Sequence, residues 1–237
     1  RGGGMMTALP TPGGSSPCPL FWPFRSPAGS DQPSFDSIRN GVAATEYFRA
    51  HYPDALTMMP TLASDFDANP IGTMVTIRCA PWVWNGRTAL IGDAAHAIVP
   101  FYGQGANCGF EDAVALVAAL DSAKNDIPSA LAHYQERRMR HANAIADLAL
   151  ANFIEMRDKT ASRLFHLRKK IDHTLHGLLP NHYQPLYDMV SFSTIPYDDA
   201  RQRARRQDRA LMIGASAVLF VIALLLLLFV WAVFARS

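Results

Sequence analysis

Leu90-Ile91-Gly92-Asp93-Ala94-Ala95-His96-Ala97-Ile98-Val99-Pro100-Phe101-Tyr102-Gly103-Gln104-Gly105-Ala106-Asn107-Cys108-Gly109-Phe110-Glu111-Asp112 reads as a strand end, an acidic turn, a glycine loop and a helix start in one run. Thr88 to Ile91 is short and apolar enough for a strand. Gly92 lets the backbone turn, and Asp93 sets a carboxylate at the strand's C-terminal end, where the ligands of open α/β sheets collect. The three glycines that follow let main chain approach a flat ligand closely. A helix expected from about Phe110 to Leu120 points its partly positive N-terminus at whatever occupies the loop. The order builds a site for an anion or a dinucleotide, in which the acceptor at Asp93 suits a sugar hydroxyl.

His96 lies inside this run, but no serine or cysteine nucleophile with a matching acid accompanies it, so it is read as a structural hydrogen-bonding group. The other seven histidines are scattered without a metal-ligand spacing, and no metal is implied. Three cysteines, Cys18, Cys79 and Cys108, form neither a C-x-x-C pair nor an even set, which fits a reducing compartment and packing roles. A formal net charge of +2 with only one short arginine run argues against a nucleic-acid partner.

At 237 residues and 49% hydrophobic content the chain can bury one ordinary core and has apolar residues to spare. The surplus lies in the C-terminal tail, where Leu211 to Ala235 holds no charged side chain. At about 1.5 Å per residue that run can cross a hydrocarbon core of about 30 Å. Its position excludes a signal peptide, and only Arg236 and Ser237 follow, so the expected topology is a single-pass tail anchor. Arg201, Arg203, Arg205, Arg206 and Arg209 crowd its N-terminal flank, which by the positive-inside rule leaves the bulk of the chain in the cytosol.

Between these landmarks the chain is organised in outline. Residues 10–37 are rich in Pro, Gly and Ser and join short strands by loops. Phe35 to Tyr52 has a helical pattern, Gly72 to Cys79 alternates as a strand with one buried face, and Pro128 to about His173 predicts one long helix free of internal Gly and Pro. On that helix Ile145, Leu148, Ala149, Asn152 and Met156 share one apolar face, so the Asn152 amide falls where a hydrocarbon is expected. An amide there needs partners, because each unpaired buried group costs about 1–3 kcal/mol. A neighbouring backbone group or a bound polar ligand would serve. Tyr187 stands in an aromatic-rich segment behind Pro180 and Pro185, where a core tyrosine with its hydroxyl at the surface is the ordinary explanation.

The string Gly92-Asp93-Ala94-Ala95-His96, the proline at 100, the glycine loop and Asn107-x-Gly109-x-x-Asp112 resemble the second flavin motif of the aromatic-hydroxylase type of FAD-dependent monooxygenase. Other segments resemble the kynurenine 3-monooxygenase branch of that family. They are Arg1 to Pro10 with Cys18 to Phe24, read as a substrate-domain strand pair entered in mid-element; Tyr47 to Ala55, read as a helix end; Asn152-Phe153-Ile154-Glu155-Met156-Arg157; and Gln184 to Ser193. The resemblance implies a mixed α/β fold, the C-terminal part of an aromatic-hydroxylase-type FAD-binding fold. Its expected parts are a partial substrate-binding domain over 1–80, the second half of the FAD-binding domain over 81–127, a helical region over 128–200, a basic linker over 201–210 and a membrane helix over 211–235.

It also implies FAD as cofactor and NADPH as co-substrate, with O₂ and L-kynurenine converted to 3-hydroxykynurenine. On this reading Asp93, Pro100, Gly105, Ala106 and Asn107 bind the cofactor. Asn152 and Tyr187 hold the amino-acid part of the substrate, while Phe101, Tyr102 and Gln104 wall the space between flavin and substrate. The family usually has Met where Ala106 stands, which implies looser packing beside the flavin. Eukaryotic members sit on the mitochondrial outer membrane. The family's GxGxxG unit does not occur in the sequence; Gly2-Gly3-Gly4 has neither a strand before it nor a periodic helix after it and is read as loop. The expectation is that these residues alone bind FAD poorly or not at all. Two other readings remain open: a membrane-bound FAD hydroxylase or epoxidase of another substrate class, and a non-enzymatic tail-anchored partner protein.

Overall fold

The computed structural model describes residues 4–124, 126–160 and 162–234. The readings of Arg1 to Gly3 and of Ala235 lie outside those residues. The chain divides into two compact units, Arg1–Val75 with Leu150–His166, and Thr76–Ala149 with Leu167–Ser237. Helices dominate both, and the strands form two short antiparallel pairs.

The first unit begins with β1 (Met5–Met6) and β2 (Leu20–Phe21), paired in the register Met5↔Phe21. Main-chain bonds from Thr7 to Pro19, Leu9 to Pro17 and Thr11 to Ser15 continue the pairing into the turn, so the expected strand pair is present. Three helices follow, α1 (Gly41–His51), α2 (Pro53–Leu56) and α3 (Leu62–Ala68). The helical pattern from Phe35 does not open a helix until Gly41, because Asn40 takes the N-cap and its side chain accepts from the Ala43 amide at 2.9 Å. Trp22 is the centre of the core, with Phe35 at 5.6 Å and Tyr47 edge-on at 5.2 Å, and Ile38, Phe48 and Leu62 close around them.

Gly41 is where α1 meets α3. A Cβ there would stand 2.1 Å from the Ala63 carbonyl oxygen, and the Gly41 amide donates to Asp67 at 2.7 Å. The obstacle is backbone and cannot swing aside. Gly41→Ala is therefore expected to cost this unit about 1–3 kcal/mol, read as a lower denaturation midpoint. An unchanged midpoint would mean that α1 and α3 are not held at this distance.

The second unit contains β3 (Val83–Trp84) paired with β4 (Thr88–Ala89), then α4 (Asp93–His96), a 3-10 turn at Pro100–Tyr102, and α5 (Gly105–Ser122). After it come α6 (Ile127–Ile154), α7 (Arg163–Leu178), α8 (Leu186–Ser191) and α9 (Tyr197–Phe234). The core gathers Trp82, Tyr134, Ile145, Met189 and Tyr197. The Gln135 side-chain oxygen takes the amides of Trp82 and Val83 at 2.6 and 3.0 Å, and the Tyr134 hydroxyl donates to the Leu90 carbonyl at 3.0 Å. These bonds fasten the hairpin to the long helix.

Three sequence expectations change. The alternating run Gly72 to Cys79 is not a strand; Met74, Val75 and Ile77 are exposed, because no second strand lies beside them among the described residues to supply a ladder. The helix expected from about Phe110 begins five residues earlier at Gly105, so Gly105 and Gly109 lie within it. The single helix expected from Pro128 to His173 is divided: α6 ends at Ile154, a π turn occupies Glu155–Lys159, and α7 starts at Arg163. The reason is local competition for the backbone. Thr160 donates to the Met156 carbonyl at 3.1 Å, and the Ser162 hydroxyl accepts the Phe165 amide at 3.5 Å, as a residue starting a new helix would.

α9 is 38 residues long and is the one helix, among the described residues, long and apolar enough to cross a membrane. None of its apolar window is buried by the protein.

Candidate functional site

The turn between β4 and α5 is held by a buried charge cluster. Gly92 takes φ +61° and ψ −143°, a conformation open to glycine and strained for any side chain. Its amide donates to Asp112 Oδ2 at 3.0 Å, and His96 Nε2 bonds the same oxygen at 2.5 Å. Asp112 Oδ1 receives Arg138 Nε at 2.7 Å, while the rest of that guanidinium bonds Glu111 at 2.7 Å and the Cys108 carbonyl at 3.1 Å. One carboxylate on α5 thus joins the turn, α4 and α6.

Asp112, His96 and Arg138 are all buried, so desolvation opposes each charge. At His96 the bond to Asp112 outweighs that penalty, and the imidazole is pushed up to about 10. At Asp112 burial alone would raise the carboxyl, but the bonds from His96, Arg138 and the Gly92 amide hold it below its ordinary value. Ligand atoms of His96, Cys108 and Asp112 lie close enough together to share a metal by distance, within 4.8 Å. Arg138 occupies the same space, and its fixed positive charge acts against a cation there.

Around this clamp lie the residues expected to meet the cofactor. Asp93 is exposed at the first turn of α4, directly after Gly92. Gly92 and Gly109 approach so closely that a Cβ on Gly109 would lie 3.7 Å from the Gly92 Cα. The acidic turn is therefore laid against the start of α5. That helix has no side-chain cap; Gln104 at its N-cap position instead accepts from the Asn107 amide group at 2.9 Å. The main-chain N–H groups of Gly105, Ala106 and Asn107 form its first turn, preceded by Gly103 in the left-handed region and by Pro100 at the start of the 3-10 turn.

The expected substrate residues divide between the units. Tyr102 and Tyr187 meet in the second, with ring centroids 5.7 Å apart, and Phe192 packs edge-on against Tyr187 at 5.9 Å. Phe101 is half-buried in the same 3-10 turn. Gln104 is buried, with its oxygen also 3.5 Å from the Tyr197 hydroxyl, so its side chain is turned into the protein. Asn152 belongs to the first unit, half-buried just before the π turn, with its amide 3.5 Å from Met156 Sδ. The first unit also holds an apolar cavity of about 1170 Å³ lined by Leu20, Trp22, Phe35, Met59 and Phe66, and none of the expected site residues borders it.

Sequence reasoning placed Asp112 in the motif without giving it a role, and missed Arg138. The signal was present: Cys108, Asp112 and Ala119 fall on the buried side of α5, and Tyr134, Arg138 and Ile145 on that of α6. An acid on one apolar face and an arginine on another are the residues that burial forces into a pair.

Comparison with known proteins bears on this turn: residues 45–149 match the FAD binding domain family. The chain is 44% identical over 200 residues to a kynurenine 3-monooxygenase of Flavobacterium psychrophilum, a match covering 84% of this chain and 44% of that enzyme. The kynurenine 3-monooxygenase of Salinispora tropica is 42% identical over 220 residues, covering 93% of this chain and 47% of its own. That of Dictyostelium discoideum is 40% identical over 214 residues, covering 85% and 45%. The chain thus resembles a partial segment of a kynurenine 3-monooxygenase and spans a little under half the length of these curated relatives.

Proposed function

We propose that this chain is the C-terminal part of an FAD- and NADPH-dependent monooxygenase that hydroxylates L-kynurenine to 3-hydroxykynurenine. The observation that carries the reading is the uncapped first turn of α5, laid against the Gly92-Asp93 turn in a chain 40–44% identical to such enzymes. The donor set fits the cofactor. Main-chain N–H groups at Gly105, Ala106 and Asn107 suit a flat ring that carries negative charge, and the Asp93 carboxylate suits the hydroxyls of its sugar-like chain. FAD, when bound, supplies the transfer of one oxygen atom from O₂ to the aromatic ring after reduction by NADPH. The protein's part is to hold and orient. The clamp on Asp112 keeps the turn rigid, Pro100, Phe101 and Tyr102 form an apolar wall that excludes water, and Gln104 fixes that wall from inside. Asn152 and Tyr187 anchor the substrate's amino-acid group.

The outer side of α5 supports a larger assembly. Phe110, Val114 and Val117 recur at helical spacing and are all exposed, a stripe that a further layer of an FAD-binding fold would cover.

NADPH-dependent formation of 3-hydroxykynurenine by the native protein, with FAD retained on purification, is the expected result. A native mass of 26.0 kDa without flavin or hydroxylase activity would overturn the reading. Within the active protein, Tyr187→Phe and Asn152→Ala are each expected to raise the KM for kynurenine about tenfold or more, with a smaller change in kcat, since each removes a polar contact to the bound substrate. Equal KM values in wild type and both variants would remove these residues from the site. α9 we read as a tail anchor that leaves the rest of the chain in the cytosol, on the mitochondrial outer membrane in a eukaryote. Its apolar length and the arginines before it support this.

A further inference from the structure

α7 carries a face that the protein does not cover. Leu164, Leu167, Ile171, Leu175 and Leu178 fall within an arc of about 80° on a helix of 3.6 residues per turn. Leu164 is 76%, Leu167 54% and Leu178 72% exposed, and Ile171 is exposed with them. A leucine stripe of this length in water is unfavourable, so its surroundings decide what covers it.

Those surroundings point to a lipid surface. Arg163 and Lys170 border the stripe on one side, the arrangement in which basic groups reach headgroups while leucines enter the acyl boundary. Depth is fixed by two tethers to α9. Arg168 pairs with Asp208 at 2.9 Å, and the Gln207 amide donates to the Gln184 carbonyl at 2.9 Å. Between them, Asp172 accepts the Tyr183 hydroxyl at 2.6 Å and His176 bonds the Tyr183 carbonyl at 2.9 Å, closing α7 onto the loop behind it. Both ends of the 168–184 segment therefore meet α9 at adjacent residues. Asp208 precedes the first residue of the charge-free run, Leu211, by about 4.5 Å of helix rise.

We propose that α7 is an interfacial helix that lays its leucine stripe into an anionic phospholipid bilayer beside the entry point of α9. The assignment rests on the reading of α9 as a membrane anchor. Exposed Arg205, Arg206 and Arg209 on α9 add positive charge at the same level.

The test uses the full chain reconstituted into phosphatidylcholine vesicles with and without about 30 mol% phosphatidylserine, a content that gives a strongly negative surface. An environment-sensitive fluorescent amino acid is placed at Ile171 in one sample and at Leu224 in another, and acrylamide quenching is read. The expected result is protection at 224 in both lipids and quenching at 171 reduced about threefold by phosphatidylserine, an effect abolished by Arg163→Glu with Lys170→Glu. Protection at 224 with 171 open to acrylamide in both lipids would overturn the interfacial helix and leave the anchor standing. Protection at 171 that ignores lipid charge and the charge reversal would mean that protein covers the stripe, which also overturns it. Quenching at 224 in both lipids would remove the anchor itself.

Discussion

Replacing Asp112 by alanine is expected to destabilise the second unit by about 3–5 kcal/mol, the range for breaking a buried ion pair from one side. The size follows from what is left behind. Arg138 would stay buried without its acceptor, His96 would lose the bond that holds its proton, and the Gly92 amide would lose its partner as well. Equilibrium denaturation reads the loss directly. The double variant Asp112→Leu with Arg138→Met is expected to recover part of it, because it also removes the guanidinium, the one buried charge of the cluster that cannot shed its proton. A loss below about 1 kcal/mol in the single variant would show that water reaches the cluster and that the clamp is not dry. Since Asp112 also fixes the Gly92-Asp93 turn against α5, cofactor affinity is expected to fall together with stability.

The second large effect is on pH dependence. His96 has a raised folded pKa of about 10, so its contribution is fully present below its ordinary value of 6.5 and is lost as pH rises through about 10. Asp112 behaves in the opposite sense. Its folded carboxyl lies below 3.8, so its contribution is present above that value and disappears as pH falls through the lower folded one. Between pH 6 and pH 11 the His96 share of the folding equilibrium is expected to fall on the order of a thousandfold. Other groups titrate in that window too, so the measurement is the difference between wild type and His96→Gln. The wild type should lose stability more steeply with rising pH. Parallel curves would mean that His96 is neutral in the folded protein.

Much of the candidate site was legible in the residues because its signals are local. A glycine at 92, an acid at 93 and a helix after a glycine loop are backbone requirements that act over a few positions, and the turn and α5 follow from them. The apolar length of residues 211–235 is a compositional fact that no packing can alter. The strand pair Met5–Met6 with Leu20–Phe21 was expected from the resemblance of its segments, with the Pro, Gly and Ser between them read as loop.

What the residues could not reveal depends on partners distant in the chain. Gly72 to Cys79 alternates as a strand should, yet a strand exists only where a neighbour offers a ladder, and periodicity cannot supply one. The break between α6 and α7 depended on Thr160 and Ser162 outbidding helix continuation by their own hydrogen bonds, without any glycine or proline to announce it. Sequence by itself determined the Gly92-Asp93 turn, the helix that follows the glycine loop and the apolar tail, because each is written in contiguous residues. Only the tertiary structure decided that Asp112, 20 residues beyond Gly92, and Arg138, 26 beyond Asp112, close on that turn. Burial forces opposite charges together wherever folding brings their faces into contact, and that meeting is a property of three dimensions.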